Sequence, residues 1–125
     1  MKTPKPILIV DDQDSVLDLL RDILEHRGFR VVTATTQETA YQEWLARPDG
    51  FDLVLMDINL SFRGEGLEFA EKLREENPAT PIVFISGMPT EQFEGGTLVS
   101  GVNYLRKPFS PHELMTVVEK QVRKA

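Results

Sequence analysis

Short apolar runs alternate along this chain with longer segments of helical spacing, and the alternation repeats from one end to the other. The runs are Ile7–Asp11, "RVVTA", Leu53–Asp57, "PIVFIS" and one inside "VNYLRKPF". Each is an apolar run too short for a buried helix, so each predicts a strand. From Ser15 onward Val16, Leu19, Leu20, Ile23 and Leu24 recur at helical spacing, and Gly28 follows as a stop. "TTQETAYQEWLAR" predicts a helix, with Thr35 and Glu38 spaced as a capping box and Pro48 beyond its end. "GLEFAEKLREENP" predicts another, with Leu67, Phe69, Ala70 and Leu73 inward. "SPHELMTVVEKQVRKA" predicts the last, capped by Ser110, with Pro111 in the first turn and Glu113 closing a capping box.

Five β–α units imply a parallel sheet with helices on both faces. Right-handed crossovers put every strand C-terminus on one edge, where α/β proteins bind ligands. The expected architecture is α/β: a flavodoxin-like (βα)5 three-layer sandwich with strand order 2-1-3-4-5. In that order the first and third strands are neighbours. The chain has 125 residues, enough for one core, and shows no repeat or linker, so residues 1–125 are expected to form a single domain.

A net charge of −6 disfavours nucleic-acid binding by this domain, because a phosphate backbone requires a basic face. The absence of cysteine excludes disulfides, thiolate chemistry and cysteine-ligated zinc. No apolar run approaches the roughly 18 residues that span a bilayer, so no membrane insertion is expected. "MKTPKP" is followed by no apolar signal region, and a cytoplasmic protein is the default expectation.

Two of the apolar runs end on acids. Asp11 and Asp12 follow Ile7–Val10, and Asp57 follows Leu53–Met56. Burying a lone carboxylate is costly unless it is paired or bound to a metal, so two neighbouring strands ending this way predict a site. Three converging carboxylates repel, and a hard divalent cation such as Mg²⁺ relieves this while leaving positions open for a phosphoryl group. Ser86, at the end of the fourth strand, offers a hydroxyl. Lys107, after the fifth, offers a point charge to phosphate oxygens. An aspartate can itself take a phosphoryl group as a nucleophile, and Asp57, at the centre of the edge, is the candidate.

The pattern "VDD" (Val10–Asp12), "LVLMDINL" (Leu53–Leu60), "FISG" (Phe84–Gly87) and "YLRKPF" (Tyr104–Phe109) resembles the receiver domains of two-component response regulators, in order and over nearly the whole chain. The resemblance implies that Asp57 accepts phosphate from the phosphohistidine of a histidine kinase or phosphotransfer protein. It implies that Asp12 binds Mg²⁺ directly, Asp11 through water and Asn59 through its main-chain carbonyl, with Asp57 itself a ligand. It implies that Ser86 and Lys107 bind phosphoryl oxygens, and that Ser86 and Tyr104 form a switch pair: the hydroxyl moves toward the phosphate and the ring turns inward. Asn59 and Met88 would flank the water path that sets the lifetime of the acyl phosphate. A cis Lys107–Pro108 bond is also implied. The domain would then be a phosphoacceptor signalling module rather than an enzyme in its own right, assisting its own phosphorylation and dephosphorylation and switching an unidentified downstream protein. A weak homodimer is left open. "GTLVSGVNYLRKPFSPHEL" resembles most the receivers at the C-termini of hybrid histidine kinases.

The chain also departs from the family. Ser61 and Glu65 stand where members usually carry proline and glycine, and "SFRGEG" reads as a loop with one extra residue. The fourth helix is expected in "PTEQFEGGTLVSG", where Gly95 and Gly96 each cost about 1 kcal/mol relative to alanine and favour a short or displaced helix. Two rival functions follow: a binding-only pseudo-receiver, and an aspartyl-phosphate phosphatase of the haloacid dehalogenase type. The second would need a D-x-D motif on the first strand, whereas Asp57 is on the third and Asn59 replaces the second acid. Elsewhere the plainer readings hold. Asp14 reads as a helix cap or solvated turn residue, His26 and His112 as surface residues, Trp44 as packing, and "EKLREEN" as a solvated helix face with helix-spaced ion pairs.

Overall fold

The computed structural model describes residues 4–87, 98 and 101–123. Its elements run β1 (Ile7–Val10), α1 (Asp14–His26), β2 (Val31–Ala34), α2 (Gln37–Leu45), β3 (Leu53–Asp57), α3 (Glu65–Glu76), β4 (Ile82–Ser86), β5 (Tyr104–Arg106) and α4 (Pro111–Arg123). All five strands are parallel and lie in the order β2-β1-β3-β4-β5. The flavodoxin-like arrangement expected from the sequence is therefore the one found. The segment expected to hold a helix between β4 and β5, and with it Met88, lies outside the described residues apart from Leu98 and Gly101.

Alternation along each strand divides the sheet between two cores. Leu8, Val10, Val54, Met56 and Phe84 face α2 and α3, where Ala40, Trp44, Phe69, Ala70 and Leu73 cover them. Ile7, Ile9, Leu53, Leu55, Val83 and Ile85 face α1 and α4, against Leu17, Leu20, Leu24, Leu114 and Val118. The central strands β1, β3 and β4 are buried along their whole length. This is why they read as unbroken apolar runs rather than alternating ones.

The helix ends explain the element boundaries. Ser110 and Glu113 form the expected capping box on α4, each backbone N–H bonding the other's side chain at 3.1 Å. On α2 the box is one residue later than expected. Thr36 rather than Thr35 is the cap, and its partner is Thr39, not Glu38. Asp14 is not the cap of α1; Gln13 holds that place, and Asp14 is an exposed first-turn residue. His26 and His112 are exposed as expected, while Trp44 is buried, stacked on Phe51. The acidic end of α3 is not simply solvated: Glu76 accepts hydrogen bonds from the Tyr41 hydroxyl at 2.7 Å and the Trp44 indole at 3.2 Å, tying α3 to α2.

Candidate functional site

The C-terminal edge of the sheet brings together the residues singled out in the sequence. Asp11 is one residue past β1, but its amide still bonds the Ala34 carbonyl of β2 at 3.1 Å, so the ladder holds it inside, fully buried. Asp57 is the last residue of β3 and is 5% exposed. Asp12 is exposed at the rim. Carboxylate oxygens from all three lie within 4.8 Å of one another.

Lys107 is delivered by β4 and β5. Its backbone N–H bonds the Ser86 carbonyl at 2.8 Å, immediately after β5 ends. Its ammonium then lies 3.0 Å from Asp11 Oδ2 and 3.7 Å from Asp57 Oδ2. The other Asp11 oxygen, Oδ1, accepts the Gln13 N–H at 2.9 Å. The Lys107–Pro108 bond is cis, as the resemblance implied.

The electrostatics follow from this crowding. Burial pushes the Asp57 carboxyl from 3.8 up to about 6, and the Asp11 carboxylate pushes the same way. Lys107 and the Asn59 N–H, which donates to Asp57 Oδ1 at 3.0 Å, pull it back. Among the described residues one cation stands with three carboxylates, which leaves the cluster short of positive charge. The donors are all oxygen, which fits a hard divalent cation.

Ser86 and Tyr104 are both 1% exposed. Phe84 is the register partner of Tyr104, and Ser86 lies two residues beyond it on β4, so both project to the α2–α3 side of the sheet. The Tyr104 ring is buried in that core.

The segment joining β3 to α3 contains what sequence reasoning missed. Gly66 N–H bonds the Ile58 carbonyl at 2.7 Å, and Gly64 takes a left-handed φ of 84° as the cap of α3. Glu65 is buried and accepts from both the amide and the hydroxyl of Ser61. The acid four residues after a hydroxyl, between two glycines, is the one local signal of this closure.

An open α/β sheet with clustered carboxylates and a lysine at its C-terminal edge is an arrangement suited to a divalent cation and a phosphoryl group. Comparison with known proteins agrees. The profile of the response regulator receiver domain matches residues 7–119, and the chain belongs to that family. It is 38% identical over 119 residues to the nisin biosynthesis regulatory protein NisR of Lactococcus lactis subsp. lactis, covering 94% of this chain and 50% of the relative. It is 32% identical over 123 residues to the alkaline phosphatase synthesis transcriptional regulatory protein PhoP of Bacillus subtilis (strain 168), covering 97% and 50%. The chain thus spans about half the length of the curated relatives it matches. Among solved structures, a CheY-like receiver domain protein from Methanospirillum hungatei JF-1 superposes with a TM-score of 0.81 at 26% identity, covering 98% of this chain and 96% of that one. The receiver domain of NtrX from Brucella abortus gives 0.80 at 28% identity, covering 95% and 99%. NisR and PhoP are named as regulatory proteins, so the likeness to hybrid-kinase receivers rests on the sequence resemblance alone. No described helix is long and apolar enough to cross a membrane.

Proposed function

We propose that this chain is a phosphorylation-controlled receiver in which Asp57 accepts a phosphoryl group from the phosphohistidine of a histidine kinase or phosphotransfer protein, in a cytoplasmic setting. The observation that carries this reading is the Lys107 ammonium lying within 4 Å of both Asp11 and Asp57 at the sheet edge.

An Asp57 carboxylate oxygen attacks the phosphorus. The new bond is O–P, the N–P bond breaks, and the imidazole nitrogen keeps that electron pair. Lys107 offsets charge on the transferring oxygens, and the Asn59 N–H holds the Asp57 carboxylate in place. Asp12, Asp57 and the Asn59 carbonyl would hold Mg²⁺, with Asp11 assisting through water. When bound, that ion supplies charge neutralisation around the phosphoryl group. The Ser86 hydroxyl and Lys107 then receive the phosphoryl oxygens, and Ser86 and Tyr104, on one face of the sheet, transmit the change to a partner-binding surface. The shift acts on a two-state equilibrium, in which a tenfold change in partner affinity needs about 1.4 kcal/mol.

The test is an intact mass after incubation with Mg²⁺ and acetyl phosphate, beside Asp57→Asn, followed by a histidine-kinase donor. One added phosphoryl group in the parent and none in the variant is the expected result. No label from either donor would leave a binding-only pseudo-receiver. Release of phosphate from small phosphate esters would revive the phosphatase reading.

A further inference from the structure

The connection between β3 and α3 carries two side-chain clamps. Glu65 is 6% exposed, and its Oε1 accepts the Ser61 amide at 2.7 Å and the Ser61 hydroxyl at 2.6 Å. Asn59 Oδ1 accepts the Gly64 N–H at 2.8 Å, while the Asn59 amide donates to Asp57 Oδ1 at 3.0 Å. The clamps overlap: one closes residues 59–64, the other 61–65. Ser61, Phe62 and Arg63 lie exposed between them. Ordering such a stretch costs about 1 kcal/mol or more per residue in backbone entropy. A buried carboxylate is an expensive way to offset that cost, tolerable here because both its hydrogen bonds are short and it sits in the first turn of α3. Both bonds run back to Ser61, toward the site. A residue serving only to cap α3 would bond amides of that helix instead.

We propose that Glu65 is a positioning residue for the phosphoacceptor. By holding Ser61, it fixes the loop that carries Asn59, and through the Asn59 amide and carbonyl it sets the orientation of Asp57 and the Asn59 contribution to the cation site. This rests on the receiver reading above.

The experiment uses the full chain and three variants: Glu65→Ala, which loses both bonds; Glu65→Gln, which keeps an acceptor oxygen; and Ser61→Ala, which loses the hydroxyl bond alone. Three quantities are read: the urea midpoint, the Mg²⁺ dissociation constant from amide shifts near Asn59, and the rate of phosphoryl gain from acetyl phosphate. For Glu65→Ala we expect Mg²⁺ binding weakened several-fold and phosphoryl gain slowed about tenfold, less than the full worth of the two lost charge-assisted hydrogen bonds because only part of it reaches the site. Glu65→Gln should stay within about twofold of the parent, since its acceptor survives. A Glu65→Ala protein that is folded, yet binds Mg²⁺ and takes phosphate as the parent does, would overturn the proposal. If Glu65→Ala does not fold, Ser61→Ala decides: weakened Mg²⁺ binding supports the assignment and parental binding refutes it. If the parent takes no phosphate from any donor, the receiver reading fails, and the Mg²⁺ titration alone judges Glu65.

Discussion

Gly66 stands so close to Asp57 that a Cβ on it would lie 2.0 Å from the Asp57 carbonyl oxygen and 2.9 Å from the carbonyl carbon. The obstacle is backbone, which cannot rotate aside. Gly66→Ala must therefore push α3 away from β3 or displace Asp57. The expected loss is about 2 kcal/mol or more in urea unfolding, with slower phosphoryl uptake in whatever remains folded. Gly64 gives the contrast. Its φ of 84° strains an L-residue, but the space around it is open, so Gly64→Ala should cost only about 1 kcal/mol.

The Asp57 carboxyl predicts a pH dependence with a definite sign. Its folded value of about 6 lies above its ordinary 3.8. Below 3.8 the group is protonated in both states and contributes nothing. As pH rises from there to about 6, the unfolded chain releases its proton first, so the folded state is progressively disfavoured. Above about 6 the penalty is constant. Asp57→Asn should therefore be more stable than the parent at neutral pH, by about 1–2 kcal/mol after solvent screening. The difference between their urea midpoints should vanish toward acid. A difference that stays constant across that range would refute the assignment.

Lys107 competes with any cation for the same carboxylates. Lys107→Met removes the ammonium 3.0 Å from Asp11 and leaves a fully buried carboxylate without it. Stability without metal should fall, and Mg²⁺ affinity at neutral pH should rise several-fold, because the cluster then has more unbalanced negative charge. Phosphoryl uptake at saturating Mg²⁺ should fall all the same, since the ammonium 3.7 Å from Asp57 Oδ2 is gone. Calorimetric titration and intact mass separate the two effects.

Glu76 raises the pKa of the Tyr41 phenol, first by accepting its hydrogen bond, then with burial and the nearby charge adding to it. Glu76→Ala should bring that titration back toward 10.0 in an ultraviolet pH titration. The same substitution frees the Trp44 indole, so tryptophan emission should shift as well.

The architecture was readable because its signals are local. Apolar runs that stop on Asp11 and Asp57 show both the strand and the charge at its end, and parallel topology then brings the charges together. The α2 cap reads one residue early in the sequence because Thr35-x-x-Glu38 and Thr36-x-x-Thr39 both fit a box; only the hydrogen bonds select the second. Glu76 reads in the sequence as a solvated acid because its partners, Tyr41 and Trp44, are 35 and 32 residues away and leave no periodic trace. At the site, Gly66 is the glycine packed against Asp57, and Glu65 beside it is buried. Neither outcome follows from spacing alone, because both depend on how tightly α3 docks on the end of β3.

Each apolar strand residue in the sheet serves one core or the other, so along the strands a single layer of peptide groups separates the two cores. Substitutions on opposite sides should add independently, with no shared side chain to couple them. A lineage of such proteins is then free to redraw the α1–α4 flank for one set of associates while the α2–α3 flank drifts on its own schedule. The carboxylate edge, where both halves end, is the one region that must answer to both histories.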